Sequence, residues 1–102
     1  MSIRELREAV EAGTLKPTDL VILGPAEHAH AWGAYKSGSL DAAKRLHDVL
    51  LPGWEWHLGP SNAKIYPYNG SPLRSWSGMA DNAARAWLLA ILRALEKEGR
   101  DG

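Results

Sequence analysis

The chain has 102 residues, no cysteine and equal numbers of basic and acidic side chains, twelve of each. This length fits one domain with one core. The lack of cysteine excludes disulfides, thiolate metal sites and cysteine nucleophiles, and the balanced charge disfavours sequence-independent binding to duplex nucleic acid. The longest apolar run, Ala86 to Leu92, is far shorter than the roughly 20 residues of a membrane span, and the charged N-terminal stretch has no apolar centre like that of a signal peptide. We therefore expect a cytoplasmic protein.

The first predicted helix is marked at both ends. Ser2 and Glu5 form a capping-box pattern, and apolar residues then recur at helical spacing until Gly13. This pattern predicts a helix from Ile3 to Ala12. The next apolar run, Leu20 to Leu23, is short, and its periodicity leaves a strand and a buried turn as open alternatives.

Two more helices are predicted before the first strand. One has Pro25 at its first position, runs through Ala26 to Tyr35 and ends at Ser37-Gly38. One of its faces carries three ring residues, His28, Trp32 and Tyr35. The other helix is capped by Ser39 and stops at Pro52-Gly53. Its inward stripe is predicted to be Leu40, Ala43, Leu46 and Leu50.

Two extended runs follow and predict a β-hairpin. Trp54 to Leu58 alternates strictly between apolar and polar residues, and Ala63 to Tyr68 is rich in β-forming residues. Gly59 to Asn62 supplies the turn between them. After a loop from Asn69 to Ser75, Arg74 to Ser77 fits a short third strand beside the hairpin.

The longest helix is predicted last, capped by Asp81 and covering Asn82 to Glu98. Its inner side is predicted to carry Trp87, Leu88, Ile91, Ala94 and Leu95. The predicted fold is therefore α+β, a small antiparallel sheet (a hairpin plus a possible third strand) covered by helices, with residues 1–98 in a single domain and 99–102 as a frayed tail. Four side chains are predicted to be buried in its core: Leu46, Trp56, Ile91 and Leu95.

Three fragments of the chain together resemble a known family. They are Ser39 to Lys44, Leu50 to Trp56, and Ser77 to Asn82 leading into Ala83 to Leu95. In these fragments the chain resembles the small phage and prophage proteins of the phage ABA sandwich type, and the likeness runs from about Tyr35 to Leu95. The resemblance implies a phage or prophage origin and a helix-sheet-helix sandwich, and it brings no catalytic residues.

The pair His28 and His30 raises the question of a metal site, because two imidazoles on one side of a strand can chelate a cation. On the predicted helix, however, the two side chains point in nearly opposite directions. The other candidate ligands lie at no recognised zinc spacing: Glu27, His47, Asp48 and His57. The sequence therefore predicts neither a metal nor another cofactor.

Acid-base chemistry has one candidate pair, Glu55 and His57 on one face of the first predicted strand. If the strand turns its apolar residues to the core, this pair points outward, and three residues of the partner strand join it if the register permits: Lys64, Tyr66 and Tyr68. A solvated sheet face is the alternative. No serine elbow, Ser-His-acid set or phosphate loop is present. We therefore predict a protein without enzymatic activity.

A ligand site is predicted where this outward face meets the following loop. Stacking rings, a permanent cation and neutral hydrogen-bonding groups converge there: His57, Tyr66, Tyr68, Arg74 and Trp76. With the phage resemblance, they predict a protein of the bacterial host cytoplasm that sequesters a small nucleotide signal of host antiviral defence. The small sheet leaves an edge and an apolar face to be covered, which predicts a homo-oligomer. The alternatives are a module that blocks a host protein through its Trp-rich surface and a structural phage component.

Overall fold

Four α-helices, one 3₁₀ helix and a three-stranded antiparallel sheet make up the computed structural model, which describes residues 2–67 and 75–97. The α-helices are α1 (Ile3–Ala12), α2 (Pro25–Lys36), α3 (Leu40–Leu50) and α4 (Ala83–Lys97), and the 3₁₀ helix covers Pro17–Leu23. The strands are β1 (Glu55–Leu58), β2 (Asn62–Tyr66) and β3 (Trp76–Met79). The predicted α+β class and the order of helices, strands and final helix are confirmed. Within the described residues, no helix combines the length and apolar character needed to cross a membrane.

Helix α1 has the predicted bounds because both of its end signals operate. The Ser2 hydroxyl accepts a hydrogen bond from the Glu5 backbone N–H (3.2 Å), and the Glu5 carboxylate accepts one from the Ser2 N–H (3.0 Å). Gly13 ends the helix with a left-handed backbone (φ 74°), which other residues adopt at a cost. The Leu20 to Leu23 run belongs to the 3₁₀ helix, with Leu20 buried and Val21 65% exposed, so it is not a strand.

The three strands form a simple meander with β2 in the middle. In the hairpin, His57 lies opposite Lys64, and the Gly59 N–H donates to the Asn62 carbonyl across the turn. The third strand exists but begins two residues later than predicted, at Trp76 rather than Arg74. Strand β2 ends at Tyr66, because Pro67 is no longer part of it, and Tyr68 lies outside the described residues.

Helix α4 is the centre of the fold, because it packs against β2, β3 and all three other α-helices. The prediction of one inner side is therefore too narrow. Ten residues are buried: Ala84, Ala86, Trp87, Leu88, Leu89, Ala90, Ile91, Leu92, Ala94 and Leu95. The helix begins one residue later than predicted, and its cap is Asn82, whose Oδ1 accepts from the Arg85 N–H (2.8 Å), whereas the Asp81 side chain is 94% exposed.

Contact between α4 and the sheet is closest at Gly78 of β3. A Cβ atom at this position would overlap the carbonyl oxygen of Ala86 and lie 2.8 Å from the Cβ of Leu89. Only glycine lets the helix backbone approach the strand this closely. Gly78 lies opposite Ala63 of β2, so two small residues side by side form the floor on which α4 rests.

Of the four side chains predicted to be buried in the core, the three aliphatic ones are buried and the aromatic one is not. Leu46, Ile91 and Leu95 are buried, but Trp56 is only half-buried at the side of the sheet. In α3, Leu40 is 47% exposed, contrary to the predicted inward stripe, and the buried residues are Ala43, Leu46 and His47. The stripe is rotated towards His47 because that histidine makes hydrogen bonds in the core.

Candidate ligand-binding surface

The sheet has one face against α4 and one face turned away from it. On the α4 side, Ala63, Ile65 and Gly78 are buried. Because side chains alternate along a strand, their neighbours form the opposite side, here called the outer face. The outer face consists of Glu55, His57, Asn62, Lys64, Tyr66, Ser77 and Met79. All of these residues are exposed except Tyr66, which is half-buried, so the predicted outward placement of Glu55, His57, Lys64 and Tyr66 is what the structure shows.

Three of these side chains are linked in a row across β1 and β2. Glu55 lies opposite Tyr66, and the Tyr66 hydroxyl lies 2.8 Å from His57 Nε2. The two rings also stack, with centroids 5.6 Å apart and an interplanar angle of 19°. Partial burial, the negative charge of Glu55 and a hydrogen bond to its carboxylate raise the pKa of Tyr66. The phenol therefore keeps its proton at neutral pH, and its hydroxyl lies between the Glu55 carboxylate and the His57 ring.

This arrangement gives the outer face three kinds of recognition group. The nearly parallel rings of His57 and Tyr66, at 19° to each other, offer aromatic surface on which a planar heterocycle can stack. Lys64 lies directly opposite His57 on one side and Ser77 on the other, so an ammonium group stands beside the rings. Asn62 lies two residues before Lys64 in β2, on the same face, and adds an amide that both donates and accepts hydrogen bonds.

The other predicted site residues are not all part of this surface. Trp76 is in β3 opposite Ile65, on the α4 side of the sheet, and its ring packs 5.5 Å from that of Trp54. It cannot contact a ligand that lies on His57 and Tyr66, so its predicted place in the loop beside them is not what the structure shows. Tyr68 and Arg74 lie outside the described residues.

The other predicted group of ring residues, on one face of α2, is largely used in packing and is a poorer surface for a ligand. The Trp32 and Tyr35 rings lie 5.6 Å apart, but Tyr35 is buried under the Arg85 guanidinium, whose carbon is 4.3 Å from the ring centroid. Arg85 also donates to the Tyr35 carbonyl (2.9 Å) and so ties α4 to the end of α2. Within residues 2–67 and 75–97, no three His, Asp or Glu side chains lie together in a group that could hold a metal ion.

A cleft of about 210 Å³ lies between the end of α1, the end of β3 and the start of α4. Arg85 and the carboxylates of Glu11 and Asp81 line it, so it presents both signs of charge. Within the described residues, the buried Nε of Arg85 has no hydrogen-bond partner. The volume is below the roughly 300 Å³ at which ligand pockets usually begin, which makes the cleft a poorer ligand site than the outer face.

A buried histidine that the sequence offered only as a candidate metal ligand joins three elements. His47 of α3 is fully buried; its Nε2 lies 2.9 Å from the Trp54 carbonyl, and its Nδ1 lies 3.1 Å from Trp87 Nε1. Because an indole N–H only donates and a carbonyl only accepts, His47 is the neutral tautomer with its proton on Nε2. Trp56 stacks on Trp87 at 5.4 Å and meets the His47 ring edge-on at 5.2 Å.

The environment of His47 fixes its charge state and its role. Burial lowers the pKa of His47, an effect that outweighs the hydrogen bond to Trp54. The ring is enclosed by the two indoles, so it positions the start of β1 against α3 and α4 and has no access to a ligand. His47 shares helical spacing with Ala43, Leu46 and Leu50, but Leu40 fits the same spacing and is more apolar, so periodicity alone does not select His47.

Comparisons of the chain with models of protein families, with curated proteins and with solved structures found no match. The resemblance to the phage ABA sandwich proteins therefore stays a prediction from the fragments quoted above. The functional interpretation rests on the geometry of the outer face.

Proposed function

We propose that this protein is a non-catalytic binding protein that holds a small nucleotide-type ligand on the outer face of its sheet. The observation that carries the proposal is the stacked pair of His57 and Tyr66 with Lys64 beside it on exposed, rigid strands. A heterocyclic base stacks on the ring pair, and a phosphate pairs with the Lys64 ammonium.

The magnitudes support a modest affinity for one copy of the chain. Stacking of one base contributes about 1 to 3 kcal/mol, and a charge-assisted hydrogen bond contributes about 1.5 to 3 kcal/mol. Ordering the ligand offsets part of this gain, which leaves roughly millimolar binding at about 4 kcal/mol. A ligand that binds more tightly has to contact the outer faces of two copies of the chain at once.

The arrangement of the polar groups favours binding over catalysis. Glu55, Tyr66 and His57 satisfy one another in a row, and the raised pKa of Tyr66 keeps its proton in place. All of these groups lie on an open surface where water is not excluded, and an electrostatic contribution to a transition state is weak in such a place.

The phage resemblance gives the proposal its biological setting. A phage-encoded protein of this kind acts by occupancy in the bacterial cytoplasm, and the ligand we propose is a small nucleotide signal of host antiviral defence. A protein partner is the second candidate function, because Met79 on the outer face is 76% exposed and Leu58 at the strand edge is 39% exposed.

The test is calorimetric titration with a panel of mononucleotides and cyclic mono- and dinucleotides. Lys64→Ala is expected to weaken binding of the retained nucleotide about tenfold, since it removes the cation that pairs with phosphate. Arg45→Ala is the matched control, because the Arg45 side chain is 65% exposed on α3, far from the outer face, and its ion-pair partner is one turn away. Failure of every nucleotide in the panel to bind, or equal losses in the two variants, would overturn the proposal.

A further inference from the structure

The two edges of the sheet differ in how their backbone groups are used. The Gly59 N–H donates to the Asn62 carbonyl, and the Ala80 N–H donates to the Ser61 carbonyl. Because backbone groups along a strand point alternately to its two sides, these two bonds determine which residues of each strand bond to β2 and which point away from it. By this alternation the N–H and C=O groups of Trp56 and Leu58 point away from β2 at the free edge of β1. Those of Ser77 and Met79 point away from β2 at the free edge of β3.

The β3 edge is partly occupied by the protein itself. Arg93 of α4 donates to the Ser77 carbonyl (2.7 Å) and also pairs with Glu11 of α1 (2.8 Å). The end of α1 lies against Met79, where both line the same cleft. A long charged side chain held in this way is one of the devices that prevent strand addition at an edge.

The backbone of the β1 edge is occupied only at its beginning, although Lys44 of α3 lies over the Trp56 ring on the α4 side of the strand (Nζ 5.0 Å from the centroid). His47 occupies the Trp54 carbonyl, which points to the same edge. Beyond it, no described residue bonds to the edge-facing backbone groups of Trp56 and Leu58, and β1 contains no proline, lysine or bulge. Leu58 is 39% exposed although it is on the α4 side of the sheet, so an apolar side chain accompanies the open backbone.

We propose that a second copy of this chain pairs with β1, antiparallel and about a two-fold axis through His57. In this register Trp56 faces Leu58 of the other copy, and all four edge groups of each strand form hydrogen bonds. The two neighbouring registers each lack a hydrogen-bonding group. With the axis through Trp56, the partner strand has to bond to the Trp54 carbonyl, which His47 already occupies. With the axis through Leu58, it has to accept from a backbone N–H of Pro60, which has none.

The pairing also completes the side chains on both faces. On the α4 side, the exposed Leu58 of each copy lies beside the half-buried Trp56 of the other, so both lose apolar surface to water. On the outer face, the two stacked pairs of His57 and Tyr66 become neighbours on one continuous sheet of six strands, three from each copy. The association does not depend on the proposed ligand, and its test contains no nucleotide.

Single cysteines test the register, since the natural chain has none. In the proposed dimer, His57→Cys places one cysteine of each copy directly opposite the other. The two residues form a pair without mutual backbone hydrogen bonds, so their Cα atoms lie about 4.5 Å apart, within the range of a disulfide. Glu55→Cys is the matched control on the same strand and face, where the two cysteines lie about 14 Å apart along the strands at roughly 3.4 Å per residue. Oxidation with glutathione is expected to give a covalent dimer of the first variant and not of the second.

Sedimentation velocity over a range of concentrations provides the independent measurement. The natural chain is expected to be dimeric. Leu58→Lys is expected to be monomeric, because its ammonium faces the partner's Trp56, over which Lys44 already holds a like charge (Nζ 5.0 Å from the ring centroid). Val21→Lys controls for an added surface charge, since Val21 is 65% exposed on the distant 3₁₀ helix, and this variant is expected to stay dimeric. A natural chain that is monomeric at every concentration, or equal cross-linking of the two cysteine variants, refutes the proposal.

Discussion

The buried, neutral His47 makes the stability of the fold depend on pH in a range where carboxylates do not titrate. In the folded protein, burial holds the pKa of His47 below its ordinary value, whereas in the unfolded chain the histidine titrates near 6.5. The stability from keeping His47 neutral is therefore fully present above about pH 6.5 and is lost as the pH falls towards the folded-state pKa. If the folded ring stays neutral to pH 5.5, the free energy of unfolding falls by about 1.3 kcal/mol between pH 7 and pH 5.5.

The measurement is urea unfolding of the natural chain and of His47→Gln at these two pH values. Glutamine keeps an acceptor for the Trp87 indole and a donor for the Trp54 carbonyl but does not titrate, so its unfolding free energy is expected to lose that pH dependence. His57→Gln, on the exposed outer face, is expected to keep it. An equal decline in the natural chain and in His47→Gln refutes the reasoning. If the glutamine variant does not fold, an NMR titration of the His47 ring in the natural chain decides the question, because a shift near pH 6.5 contradicts the burial argument.

Three further predictions concern stability and are checked by chemical denaturation. Gly78→Ala is expected to cost about 3 kcal/mol, since the added methyl group meets the α4 backbone, and a loss below about 1 kcal/mol would mean that α4 adapts. Ile91→Ala is expected to cost about 2 to 5 kcal/mol and Leu40→Ala less than about 1 kcal/mol, so similar losses would contradict the observed helix faces. Glu96→Gln removes the ion pair with Arg7, which lowers the pKa of Glu96. About 1 kcal/mol is expected to be lost at pH 7, and this difference from the natural chain is expected to shrink as the pH falls below the ordinary carboxylate pKa, so a difference that does not change with pH would contradict the role of the ion pair.

Local signals predicted the helices well because helix ends depend on a few neighbouring residues. Ser2, Glu5 and Gly13 were sufficient for both ends of α1. The inward stripe of α3 was less predictable, since hydrophobicity favoured Leu40 over His47. What buries His47 is a pair of hydrogen bonds to residues far along the chain, and local periodicity does not report such bonds.

The candidate site was predictable to the extent that it follows from strand alternation. Alternation placed Glu55 and His57 outward, and the short turn set the register that brings Tyr66 beside them. Trp76 was misplaced because the sequence does not show where the third strand begins. The register pairs Ile65 with Trp76 and Ala63 with Gly78, which puts Trp76 on the α4 side, and the close approach of α4 at Gly78 is visible only in three dimensions.

The central position of α4 has a consequence for the order of events during synthesis. Each of α1, α2, α3, β2 and β3 packs on this helix, yet α4 is the last of the described elements to leave the ribosome. Until residues 83–97 emerge, the earlier segments have only one another, and the sheet lacks the side chains that cover its apolar face. At the usual 5 to 20 residues per second, roughly 4 to 16 seconds separate the first residues of α1 from the helix that completes their core. During that interval the apolar face of the sheet stays exposed to water, and the docking of α4 is the step that completes the core.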